Sequence, residues 1–352
     1  MLDYIKEPIQ ELMSQAPVLS QIISTLIIYT IAKTVHSNIE LHTSHLVKKH
    51  KRIKLPPKIK ESIKTVDEEK LAQKAMSDSV IEFYNVIKEN LSPEELAILN
   101  KNIDTLKIKE SPISKISTKF KQMGFDLTTL VKTIKGGHYN CLTNSVTIDE
   151  TSIKISIFHE LMHMASSVKT PEGIYSGFSQ KIFTDEIGSG INEGYTQLLT
   201  ERLFPDSVQS EFVVYPFEIV AAKLVEELIG EEKMRHLYFG ANLQGLVQEL
   251  SQFASVEEVK MFIANMDTIN KHLYFRNPLV LEEKLFVQNA MYGVNEFLMK
   301  AHQKRIDSIE GLTEEQKIEM LEEVKNKIRN NKVYEHWKFK PFNEQSTEKK
   351  IQ

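Results

Sequence analysis

Cysteine is almost absent. Cys141 is the single one in 352 residues, so no disulfide can form within the chain and no cysteine-rich zinc site can be built. Any tetrahedral metal site must use histidine and carboxylate, and the lack of disulfides fits a reducing cytoplasm. A strong charge of either sign is missing too. The net charge of −4 offers no general attraction for nucleic acid or acidic partners. Internal repeats and long low-complexity tracts are lacking. What is there, 41% hydrophobic residues over 352 positions, suffices for a sizeable core in one large domain or two moderate ones.

Charge vanishes altogether from Leu12 to Ala32, LMSQAPVLSQIISTLIIYTIA, and then reappears with one sign in KKHKRIKLPPKIK from Lys48 to Lys60. No basic region precedes the apolar stretch and no small-x-small site follows it, so it does not read as a secretion signal. Its length suits a bilayer anchor, since about 20 residues span one. In that case the basic run stays on the cytoplasmic side, and residues 12–60 make the membrane contact. Pro17, Ser20, Gln21, Ser24 and Thr25 dilute the stretch, which leaves a second reading: a helix packed on protein. His36, His42, His45 and His50 belong to this basic face and lack carboxylate partners at ligand spacing.

Pro56-Pro57 marks a linker. The chain thus divides into an apolar and basic segment over 1–55, a helical lead-in over 56–128, a central domain over 129–305, and a C-terminal helix with a frayed tail over 306–352. Apolar residues recur at helical spacing from about 63 to 90, SPEEL at Ser92 opens a second helix with a serine cap and proline first, and ISKISTKFKQM forms a third that ends at Gly124. The texture changes at GGHYNCLTNSVTIDE, 136–150, which reads as a turn with one or two strands. A helix over about 152–167 follows. IYSGFSQKIF reads as a strand or hairpin arm, and after Gly-Ser-Gly at 188–190 a helix spans about 191–203. Everything beyond Tyr215 is helical in pattern. The expected fold is α+β and mostly helical, with a small sheet containing 138–149 against the two central helices and a helical lobe across the cleft.

The first of those helices carries SIKISIFHELMHMASS. His159 and His163 are four apart and share a face, which lets two imidazoles converge on one cation. Glu160 stands beside the first, so the pattern is H-E-x-x-H, the arrangement of a zinc site whose glutamate acts as general base. Ile155, Phe158, Leu161, Met162 and Met164 make the helix apolar nearly all round, a dry and rigid support. The plainer alternative is two core histidines with satisfied hydrogen bonds. A third ligand has to come from downstream, where Asp185, Glu186, Glu193 and Glu201 are available. Glu193 is the choice. It lies in the first turn of a new helix, after a flexible entry, which can bring its carboxylate against His159 and His163. Glu201, two turns deeper in the same helix, reads as facing solvent or pairing with a lysine. Three ligands and one open position make a catalytic site rather than a structural one.

HELMH followed by NEG on a later helix resembles the gluzincin zinc metallopeptidases, over about residues 136–204. The resemblance implies a zincin-like core, zinc as cofactor, ligands His159, His163 and Glu193, and hydrolysis of a peptide bond by a metal-bound water with Glu160 as base. It also implies that GHYNCLTNSVTID is the edge strand on which a protein or peptide substrate lies extended. A tyrosine or histidine would stabilise the oxyanion. Tyr215, at the start of an apolar helix, is the candidate, with Tyr195, His236 and Tyr238 as alternatives; His138 could line the cleft but reads as a surface residue. Two departures stand out. The gap from His163 to Glu193 is long. Where many members carry an aspartate one turn after the ligand glutamate, this chain has Gln197; a neutral partner predicts weaker zinc binding. Asn192 needs no chemical role, Gly194 permits close helix approach, Glu218 lies in an otherwise apolar helix, and Glu226 and Glu227 read as its solvated edge. Two other functions remain open: a non-catalytic interaction protein on the same scaffold, and a metal-dependent amidase. The expected location is the cytoplasm, with attachment to the membrane's cytoplasmic face if residues 12–32 insert.

Overall fold

The computed structural model describes residues 78–110, 137–148, 154–182, 185–208, 215–273 and 281–343. The apolar stretch at 12–32, the basic run with its histidines, the expected helix before Gly124 and the boundaries near 55 and 128 lie outside the described residues. Among the described residues no helix is long and apolar enough to cross a membrane.

The fold is mostly helical with small sheets, an α+β architecture. Helix α1 (Asp78–Ile87) buries Val80, Phe83, Tyr84 and Ile87, an i, i+3, i+4, i+7 stripe. Helix α2 (Pro93–Thr105) starts as SPEEL predicts. Ser92 and Glu95 form a reciprocal capping box. Three strands follow, β1 (Lys107–Glu110), β2 (Gly137–Asn140) and β3 (Ser145–Ile148). Their order is β1-β3-β2, with β1 parallel and β2 antiparallel to β3, so β2 is an edge.

Helix α3 (Lys154–Ala165) carries the H-E-x-x-H motif. Its far end is tied down by Asn102 of α2, whose amide donates to the carbonyls of Met164 at 2.8 Å and Ser167 at 2.7 Å. The long gap before Glu193 is a second sheet that the sequence reading lacked. Strands β4 (Ser167–Lys169), β5 (Ile174–Ser176), β6 (Ser179–Ile182) and β7 (Asp185–Ile187) form an antiparallel meander. The predicted single arm IYSGFSQKIF is its central hairpin.

Helix α4 (Ser189–Leu203) lies at the centre, packed on α3 and on the later helices α5 (Pro216–Ile229) and α8 (Val256–Leu273). Two glycines permit this. A Cβ on Gly190 would stand 2.2 Å from the Met266 carbonyl oxygen of α8, and one on Gly194 would stand 2.3 Å from the Glu218 carbonyl oxygen of α5. The close approach expected of Gly194 is therefore real. Helices α6 (Glu231–Phe239) and α7 (Leu243–Leu250) link α5 to α8, and α9 (Leu281–Asp307), α10 (Glu314–Arg329) and α11 (Lys332–Trp337) complete the order. Phe158 of α3 stacks on Phe204 with ring centroids 4.0 Å apart, and Phe204 stacks on Phe83 at 5.7 Å. This anchors the metal-motif helix from below.

One expectation fails in α5. Glu226 is buried, and the Arg202 guanidinium donates to both its oxygens at 2.6 and 3.0 Å. The sequence read it as solvated because its partner is 24 positions away. Glu227, by contrast, pairs with Lys327 at a partly exposed position. Glu218 is fully buried.

Candidate metal centre

The three expected ligands meet. His159 Nε2 lies 3.0 Å from Glu193 Oε2, His163 Nε2 lies 3.5 Å from the same oxygen, and the two Nε2 atoms are 3.1 Å apart. Both histidines are buried and Glu193 is partly exposed. Among the described residues this is the group able to hold a metal ion, with its ligand atoms all within 4.8 Å of one another. Burial pushes the Glu193 carboxyl up, but the His163 charge and hydrogen bonds from both imidazoles outweigh it and hold the group well below the usual carboxylate range.

Each imidazole is held from behind. Gln197 Oε1 lies 2.8 Å from His159 Nδ1. Thr196 Oγ1 lies 3.5 Å from His163 Nδ1 and 2.7 Å from the Tyr238 hydroxyl. Asn192, to which the sequence reading gave no role, accepts from the Phe178 backbone N–H at 2.9 Å and sets its amide nitrogen 3.3 Å from His163 Nδ1. It thus couples the hairpin of the meander to the second ligand.

The first turn of α4 is fastened by a residue the sequence reading missed. Gly188, at its N-cap, has no side chain to offer. Asp267 of α8 supplies the acceptor instead. Its oxygens receive the Gly188 N–H at 2.8 Å, the Gly190 N–H at 2.9 Å and the Ser189 hydroxyl at 3.2 Å. Burial raises the Asp267 carboxyl even so, against the lowering effect of those bonds. Asp267→Ala strands two helix-terminal N–H groups and should cost about 1–3 kcal/mol of stability. Because Glu193 follows directly on the turn so held, the same variant should bind metal more weakly, as urea unfolding and a metal titration would record. The absence of any acid at the N-cap of α4 was the one clue to a capping residue supplied from elsewhere.

Glu160 is partly exposed and its Oε2 accepts from the Tyr139 backbone N–H at 2.6 Å. In an antiparallel ladder a residue sends N–H and C=O to the same side. Tyr139 therefore turns both toward the open edge of β2, where Glu160 lies. Tyr215 caps α5 in a left-handed conformation, φ 57° and ψ 43°, which a bulky side chain adopts at a cost of about 1–2 kcal/mol. Its ring stacks on His159 with centroids 5.8 Å apart, and its hydroxyl lies near the Glu193 carboxylate. Burial, then the charges of Glu193, Glu160 and Glu218, raise that hydroxyl well above its ordinary value.

The alternatives to Tyr215 stand elsewhere. Tyr195 is buried between Phe178 and Tyr238, Tyr238 lies behind Thr196, and His236 pairs with Glu95 at 2.9 Å. Nor do the other acids join the ligands. Glu186 accepts from the Ser179 hydroxyl at 2.8 Å, Asp185 opens β7, and Glu201 bonds to Gln197. The cleft beside the metal group is lined by His138 and Tyr139 of β2 and by Ile174, Lys181 and Glu186 of the meander. The last three are register partners across β5, β6 and β7, so they share one face. Compared with known proteins, the chain matches no family model, no curated protein and no solved structure.

Proposed function

We propose that this protein is a zinc-dependent peptidase of the gluzincin kind, with a zincin-like core built from β2, β3, α3 and α4. One observation carries the reading: two imidazole nitrogens and a carboxylate oxygen from separate helices stand 3.0, 3.1 and 3.5 Å from one another. Tetrahedral zinc, with bonds of about 2.0–2.2 Å, sets its ligands about 3.3–3.6 Å apart. The donor set, two nitrogens and one oxygen, suits zinc, and an acceptor stands behind His159 Nδ1, the Gln197 carbonyl at 2.8 Å, while the Thr196 hydroxyl oxygen stands 3.5 Å from His163 Nδ1. When bound, zinc would supply Lewis acidity, lowering the pKa of water toward about 7 and polarising a carbonyl.

The chain's own residues supply the rest. Glu160 lies one residue from a ligand and faces the cleft, where it can accept a proton from water and return it to the departing amine. The Tyr215 hydroxyl, beside His159, can donate to an oxyanion. The outward N–H and C=O of Tyr139 can pair with an extended peptide, which gives register without reading side chains. A purely structural site uses neither Glu160 nor Tyr215, and this favours catalysis over a non-catalytic interaction role. A cytoplasmic location belongs to the same proposal and is supported by the single cysteine.

The test combines elemental analysis with hydrolysis of casein and of small amides. About one zinc per chain is expected, with casein cleavage that stops on chelation and returns with zinc. Full zinc occupancy with no cleavage of any peptide would overturn the peptidase reading, and cleavage of small amides alone would favour an amidase.

A further inference from the structure

We propose that Glu201 is a positioning residue of the metal centre: it orients the Gln197 amide, and through it His159, so that a neutral side chain does the work of a carboxylate. The inference rests on the metal-site reading above and adds a residue to it.

Glu193, Gln197 and Glu201 lie at i, i+4 and i+8 of α4 and so share one face. Gln197 is buried, with Oε1 2.8 Å from His159 Nδ1 and Nε2 donating to Glu201 Oε1 at 2.9 Å. The two ends of a side-chain amide have nearly the same shape, so their orientation is set by what they meet. A carboxylate only accepts. The amide N–H therefore turns to Glu201 and the carbonyl to His159. A carbonyl facing Nδ1 holds a proton on Nδ1, so in the neutral ring, the form that binds a metal, the lone pair stands on Nε2, the atom that converges with His163 and Glu193. The opposite orientation would put the proton on Nε2 and block the ligand position.

The carboxylate also polarises the amide it accepts from, which strengthens the carbonyl as an acceptor. Part of the basicity that a direct carboxylate partner would give His159 is thereby restored. The expectation of weak zinc binding from Gln197 considered that residue alone. Glu201 was expected to face solvent or pair with a lysine. Among the described residues it has no basic partner, and the neighbouring Arg202 is engaged by Glu226 and Glu231.

The experiment is a double-mutant cycle read as zinc affinity by competition with a chelator, using the full chain. Glu201→Gln should weaken zinc binding about 10-fold, at the low end of what loss of an outer partner costs. In a Gln197→Glu background the same substitution should instead strengthen binding. There it removes the repulsion between two touching carboxylates and lets an amide N–H at 201 support a carboxylate at 197. The thermal midpoint of each variant in chelator shows that folding is kept. A structural role alone predicts the same sign in both backgrounds. Equal signs, or a Glu201→Gln affinity equal to wild type, overturn the proposal while leaving the metal site intact. A wild-type protein that takes up no zinc overturns both.

Discussion

Glu160→Gln should slow peptide hydrolysis by about 10²–10⁴-fold, the usual contribution of a positioned acid–base group, with zinc content unchanged. The substitution is chosen for what it preserves. The glutamine carbonyl has the shape of the carboxylate oxygen that accepts the Tyr139 N–H at 2.6 Å, so the link between α3 and β2 persists. His159, His163 and Glu193 are untouched, so the metal stays. What is lost is the ability to take a proton. The bond to Tyr139 also bears on substrate binding. An extended peptide pairing with β2 would compete with Glu160 for that same N–H, so docking the substrate frees the base at the moment it is needed. A loss confined to kcat, with KM nearly unchanged, fits this scheme. Wild-type activity in Glu160→Gln with zinc bound would exclude Glu160 as the base.

Local chemistry is what the sequence made readable. The capping box at Ser92 and Glu95, the His159–His163 face and the placement of Glu193 after Gly-Ser-Gly all depend on residues within one or two helical turns, where spacing dictates geometry. Tyr215 was legible for a similar reason, as the residue directly before a helix. What escaped depends on partners far along the chain. Asp267 caps a helix 77 to 79 positions away, and His236 finds Glu95 at 141. No spacing rule encodes either. Of the meander only the central arm was legible, because the strands run three or four residues each, too short for alternation to register in the outer two. Glu201 is the instructive case. Its spacing from Gln197 was in plain view, yet an acid at i+4 from an amide usually faces water. Only the burial of Gln197 against His159 gives that spacing a purpose.

Removing the metal should destabilise the protein, and the effect should vanish in Glu193→Gln. Folding assembles the site from α3 and α4, so an ion that binds only the folded state stabilises it by RT ln(1 + [L]/Kd), about 4 kcal/mol at a free concentration 1,000 times Kd. For a chain of this size that corresponds to a rise in Tm of about 5–10 °C. The amide in Glu193→Gln keeps the size of the side chain and an oxygen facing His159, but it removes the negative charge that joins the two imidazoles. Zinc affinity should then fall by more than the about 10–100-fold that loss of an outer partner costs, enough to flatten the dependence of Tm on zinc. Without zinc the same variant should lose only what the Glu193 carboxylate gains from the two imidazoles, because the Asp267 cap and the α4 contacts with α5 and α8 do not involve residue 193. Differential scanning calorimetry across a zinc series separates the two contributions. A zinc-dependent Tm that survives Glu193→Gln unchanged would place the ion elsewhere in the protein.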